Sequence, residues 1–219
     1  MTEIKELYDL SKTIAAPLFE GKTYPWELLP EIKDYIYKLG ASLPEDEYDM
    51  ISEGVWVARD AKIFPTAYLG APCIIDHGAE VRQCAFIRES AIVGKNAVVG
   101  NSTELKNVIL FDNVQVPHYN YVGDSILGYK AHMGAGSITS NVKSDKTLVV
   151  IKEPGNSIET GRKKVGAMLG DNVEIGCNSV LNPGTVVCRG SNVYPTSCVR
   201  GVIPADSIYK AEGNIVKKN

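Results

Sequence analysis

The 219-residue chain lacks long apolar runs: no stretch reaches the roughly 18 uninterrupted apolar residues of a membrane helix, so no membrane partner is expected. Its opening, MTEIKELYDL, carries early acids and no apolar centre, unlike a secretory signal. Basic clusters are missing too. Lys and Arg are scattered and the net charge is -3, which argues against a nucleic-acid partner. The five cysteines are odd in number and contain no C-x-x-C pair. A disulfide framework or thiolate zinc site is therefore not expected, and reduced thiols in a cytoplasmic protein are. Histidine is scarce, with three residues. Against these absences stand 44% hydrophobic and 22% charged residues, a balance that suits one elongated domain with a modest extension.

What the chain has is a period of six. Val57, Ile63, Leu69, Ile75, Val81, Ile87, Val93, Val99, Leu105 and Phe111 follow one another at that spacing. Four residues after each of the first eight stands a small side chain: Ala61, Ala67, Cys73, Ala79, Ala85, Ala91, Ala97 and Thr103. A period of six fits neither a helix nor plain strand alternation. It fits short strands joined by tight corners, with the aliphatic residue inside and the small one at the bend. Three such strands close a coil of about 18 residues, and stacked coils share one core. The register slips near Pro117, recovers at Leu127 and Met133, and resumes through Leu169, Ile175, Leu181, Val187, Val193 and Val199.

Two regions break the repeat. Residues 1–50 form an extension with apolar residues at roughly helical spacing, Ile4, Leu7, Leu10, Ile14 and Leu18, then Leu28, Leu29, Ile32, Ile36 and Leu39 up to Gly40. Two helices capping the first coil are expected there, because an open coil end exposes strand edges and core. The β-helix is expected over 51–205, interrupted at about 142–165, with a tail over 206–219. The interruption holds TLVVIK and the turn signal EPGN, which predicts a hairpin projecting from the coils.

Outward residues on such a scaffold become neighbours by coiling. Arg88 and Lys106 each follow an inward aliphatic residue and lie 18 apart, so they are expected to stack one coil apart. Two cations at strand spacing suit an anionic ligand; they also suit a solvated surface. Of the histidines, His118 sits where the repeat slips, in QVPHYNYVGDS, close in coil position to Glu104 and Lys106. A carboxylate beside an imidazole supports it as a general base.

The segments CAFIRES, GNSTELKN, VPHYNYVGDS, KAHMGAGSITSN and GRKKVGAMLGDNVEIGCNSV carry a resemblance over roughly residues 55 to 203. They resemble the hexapeptide-repeat sugar-phosphate acetyltransferases. These include the acetyltransferase domain of the bifunctional UDP-N-acetylglucosamine-forming enzyme, archaeal sugar-phosphate nucleotidylyltransferases with amino-sugar acetyltransferase activity, and stand-alone proteins related to UDP-N-acetylglucosamine pyrophosphorylase. The resemblance implies a left-handed parallel β-helix, a homotrimer with sites between subunits, and acetyl transfer from acetyl-CoA to the amine of glucosamine 1-phosphate or a close analogue. It implies His118 as general base, Glu104 as the carboxylate orienting it, and Arg88 and Lys106 as ligands of the sugar phosphate. Tyr121 and Asn141 match residues that contact the sugar and reacting amine, and Lys146 falls near a lysine contributed by a neighbouring subunit. Ala135 matches a backbone contact to acetyl-CoA, and Cys177 stands where a serine often lies beside that co-substrate. No metal is needed for this chemistry.

The chain departs from the resemblance in three respects. No nucleotidylyltransferase domain or Gly-rich nucleotide signature precedes the repeats, so that activity is not expected. The long C-terminal arm that helps bind coenzyme A is not seen before GNIVKKN. Lys143 stands where an acidic residue commonly follows the matched asparagine. Two other functions stay open: a non-catalytic trimeric scaffold or sugar-phosphate sensor, and a γ-class carbonic anhydrase-like enzyme using His77, His118 and His132.

Overall fold

A computed structural model describes residues 1–153 and 155–218. The repeats form the left-handed parallel β-helix expected from the period of six. Each coil contributes three short strands, and equivalent strands stack in parallel. On one face Val57 pairs with Ile75 and Ile75 with Val93; on the second Ile63 pairs with Val81; on the third Leu69 pairs with Ile87 and Ile87 with Leu105. Ile75, Val81, Ile87, Val93, Val99 and Leu105 are fully buried, forming the interior stack.

The slip in register lies elsewhere than the sequence suggests. Val93 pairs with Leu110 and Leu110 with Leu127, steps of 17 positions, so Leu110 and not Phe111 takes the inward place. The second and third faces follow in step, Val99 pairing with Val116 and Leu105 with Val122, while the interval of six from Leu110 to Val116 and from Val116 to Val122 is kept. Both lost residues therefore come from one corner, between the third face and the first, at Lys106–Asn107 and Gly123–Asp124. Asn107 and Asp124 adopt positive φ of 56° and 48° there, a conformation short amide and carboxylate side chains tolerate through local hydrogen bonds. The insertion leaves from the same corner one coil further on, after Asn141.

The extension closes the edge of the first coil with its final strand, Tyr48–Ser52, antiparallel to Val55–Ala58, and not with its helices. It runs lengthwise along the first face, burying the outward row Ile74, Ile92, Ile109, Ile126, Met168 and Val186. Only Ile4–Leu7 and Ile32–Gly40 are α-helical; Leu10–Lys12, Ala16–Phe19 and Pro25–Glu27 are single 3-10 turns. Pro17 and Pro25 open two of these turns and would interrupt a longer helix. The path is fixed by main-chain bonds to the coils: Asp171 N donates to Leu7 O (3.0 Å) and Asp112 N to Lys12 O (3.0 Å). Phe111, displaced from the interior, packs with Tyr8 and Phe19 at 5.1 and 5.7 Å between ring centres. At the first coil Gly40 lies under the Trp56 indole so closely that a Cβ would come within 2.4 Å of the ring.

The insertion contains an antiparallel pair, Val150–Glu153 with Asn156–Glu159. The pair folds back on the coils instead of projecting. Val149 and Ile151 are fully buried, and a Cβ on Gly184 would lie 2.7 Å from Val149 and 3.1 Å from Ile151. At the far end Asn214–Lys217 turns back antiparallel along Ser207–Ala211.

Candidate active site

The third face carries the candidate residues between two corners. His118 ends the strand Gln115–His118, opposite Asn101 of the preceding coil, and its ring is exposed. Its backbone N–H donates to Asn120 Oδ1 (3.1 Å). Asn120 is buried and donates to Gly134 O and Ser137 O, at 2.9 and 3.0 Å, which locks the corner in place.

His118, Ala135 and Cys177 stand on one line down this corner. Gly136 N donates to His118 O (3.0 Å) and Asn178 N to Ala135 O (2.8 Å), so each follows the last by one coil. Cys177 borders an open groove of about 650 Å³ on the second face, with His132, Glu174, Val193, Tyr194 and Lys218. The walls approach closely: a Cβ on Gly134 would meet Cys177 N at 2.7 Å.

Glu104 and Tyr121 lie side by side on the third face, in register with each other. Glu104 Oε1 is 3.5 Å from Arg88 Nη1. Among the described residues no hydrogen bond joins Glu104 to His118. Arg88 and Lys106 are not stacked either. A bulge after Ile87 places Glu89, not Arg88, opposite Lys106. Each cation has its own carboxylate: Arg88 has Glu104, and Lys106 Nζ lies 3.3 Å from Asp124 Oδ1. Arg88 is half exposed, whereas Lys106 and Asp124 are largely buried.

Asp124 joins the far corner together. It accepts from Lys106, from Asn107 Nδ2 (2.9 Å) and from Asn141 Nδ2 (2.5 Å). Asn141 Nδ2 also reaches the Tyr121 hydroxyl at 3.3 Å. Burial, then the charges of Asp124 and Glu104, push the Tyr121 phenol above its ordinary pKa, so it stays protonated near neutrality. The candidates Arg88, Glu104, Lys106, Tyr121 and Asn141 thus share one surface, with His118 at its edge. Lys146 lies apart from them, in the exposed turn 143–147, where Lys143 is paired with Asp145 at 3.5 Å. His77 and His132 have separate carboxylate partners, Asp60 and Glu47 for the first and Glu174 for the second. Asp124 and Asn120 carry no role in the sequence reading. Asp124 lies three residues after Tyr121 in VPHYNYVGDS, the segment that carries His118, and that placement is the available signal.

The chain belongs to the GMPPB C-terminal domain family, whose model matches residues 69–188. It is similar to the bifunctional protein GlmU of Methanococcus maripaludis, 33% identical over 118 residues, or 53% of this chain and 28% of that one. A bifunctional sugar-1-phosphate nucleotidylyltransferase/acetyltransferase of Sulfurisphaera tokodaii is 30% identical over 109 residues, 50% of this chain and 27% of the relative. The chain thus spans less than a third of either relative. Among solved structures, the acetyltransferase domain of PglB from Neisseria gonorrhoeae aligns with 88% of this chain and 66% of its own, at 15% identity and a TM-score of 0.35.

Proposed function

We propose that the protein is an acetyl-CoA-dependent N-acetyltransferase acting on an amino-sugar phosphate such as glucosamine 1-phosphate. The observation that carries this reading is the alignment of His118, Ala135 and Cys177 along one corner, beside the polar face of Glu104, Tyr121, Lys106 and Asn141. A thioester laid along the groove would bring its carbonyl to His118, and an amino sugar on the third face would bring its nitrogen to the same point.

An ammonium has no lone pair with which to attack. His118 takes one of its protons; the nitrogen then adds to the thioester carbonyl while backbone N–H groups receive the developing oxyanion. The C–N bond forms, the C–S bond breaks, and the departing thiolate takes the second proton that the nitrogen sheds on becoming an amide. Arg88 is the cation free to turn toward the phosphate, since its bond to Glu104 is long and exposed. A homotrimer would set the third face of one subunit against its neighbour, and the turn bearing Lys146 would then reach an adjoining site.

Thiol release from acetyl-CoA, followed across a panel of amino sugars and their phosphates, tests the reading. Release that requires an amino-sugar phosphate is expected. No release with any amine would leave the scaffold or sensor reading in its place. Sedimentation giving only monomer at micromolar concentration would remove the shared-site part.

A further inference from the structure

We propose that Asp124 is a positioning residue that fixes the polarity of the Asn141 amide, so that the site selects an ammonium over a hydroxyl at the reacting position. The inference rests on the amino-sugar reading above and assigns a role to a residue that does not itself reach the ligand.

The chain of reasoning is one of donors and acceptors. An asparagine side chain can be turned either way, and its neighbours decide which end is nitrogen. An ionised carboxylate only accepts. With Asp124 Oδ2 at 2.5 Å, the end of Asn141 facing it must be the NH₂ group. Asp124 is itself immobile: it is buried, sits at a tight corner with φ of 48°, and is held by Lys106 and Asn107 on its other oxygen. Asn107 Nδ2 also donates to Leu29 O (3.1 Å), so the extension over the first face braces the same cluster.

Two consequences follow at the surface. Asn141 Oδ1 is left without a partner among the described residues and is open to solvent, an acceptor awaiting a donor. The Tyr121 hydroxyl receives Asn141 Nδ2, which leaves its own proton to give to an oxygen of the ligand. The negative charge of Asp124 behind the amide adds a field that favours a cation in front. An ammonium donates a charge-assisted hydrogen bond to Oδ1, about twice the strength of the bond a neutral hydroxyl makes. The two shortened coils are what place Asp124 here, opposite Asn107 and next to Asn141.

The test compares binding of glucosamine 1-phosphate and glucose 1-phosphate by calorimetric titration without coenzyme, alongside turnover. The parent protein is expected to favour the amine by at least about 5-fold, given the charge-assisted bond. Asp124→Asn lets the facing amides turn over; the preference should vanish while glucose 1-phosphate binds no more weakly. The double variant D124N/N141D restores a donor facing an acceptor, with a carboxylate oxygen outward, and should regain the amine preference. Melting curves run beside each titration separate folding from selection. An unchanged preference in Asp124→Asn, or lowered melting temperatures with no change in the ratio, would overturn the inference while leaving the enzyme reading intact. Amine selection without any acetyl transfer would do the reverse. A parent protein that binds both sugars equally, or neither, overturns the inference outright.

Discussion

Arg88 Nη1 lies 3.5 Å from Glu104 Oε1, across one coil of the third face, and this bond holds the guanidinium beside the candidate acceptor surface. A phosphate dianion entering here competes with an exposed carboxylate for the same cation. Arg88→Ala should raise KM for a phosphorylated amino sugar by about 10-fold or more, since charge-assisted bonds are worth roughly 1.5 to 3 kcal/mol and 1.4 kcal/mol is tenfold. The value for acetyl-CoA should stay nearly constant. Steady-state kinetics with glucosamine and its 1-phosphate decide the point: equal loss with both acceptors would remove the phosphate contact.

His118→Ala should fold normally, because the ring is exposed and the corner is held by Asn120. Turnover should fall at least about 100-fold, the ordinary contribution of a general base. Unchanged turnover with an unaltered melting temperature would show that the base lies elsewhere.

His77 should make stability depend on pH. Partial burial lowers its pKa, but hydrogen bonds to Asp60 and Glu47 and the charges of Asp60 and Asp76 outweigh this and raise it above the usual value. The imidazolium is thus favoured in the folded protein. Its stabilisation is complete below the unfolded value near 6.5 and is lost as pH rises through the raised folded value. Because the groups are largely exposed, the effect on melting temperature should be small, up to about 3 °C. Melting curves taken upward from about pH 5.5, below the unfolded value, should show this fall in the parent and not in His77→Gln.

Ile36→Ala probes the extension. The side chain is fully buried in the helix Ile32–Gly40, which packs on the first face. A loss of about 2 to 5 kcal/mol is expected from the transfer and cavity terms together. Urea denaturation measures it; a loss below about 1 kcal/mol would mean that the extension is only loosely seated.

The coil architecture was legible because inward residues recur every six positions whatever lies outside. The register slip was misplaced because Leu110 and Phe111 are both large and apolar, and either can continue the series. The seating of the extension left a signal at a longer period: Trp56, Ile74, Ile92, Ile109, Ile126, Met168, Val186 and Val202 are outward positions of one face and all apolar. Equivalent positions on the second face read Lys62, Glu80, Val98, Gln115, His132, Glu174 and Asn192. The placement of Glu104, Lys106 and Tyr121 on neighbouring coils was readable from the period. The partnering of Arg88 with Glu104 was not, since it depends on a bulge that spacing alone does not reveal.

A stack of coils is ordinarily a one-dimensional array in which each member feels only its neighbours and the ends can open alone. The extension changes that connectivity. Met1 O accepts from Cys188 Sγ, Leu7 O from Asp171 N, and Lys12 O from Asp112 N, while Glu47 reaches His77 near the other end. One continuous segment therefore touches early and late coils alike. Loosening it anywhere uncovers apolar surface along most of the stack, so local fraying becomes a global cost. This connectivity favours the all-or-none unfolding of a globular domain in a protein with the shape of a solenoid.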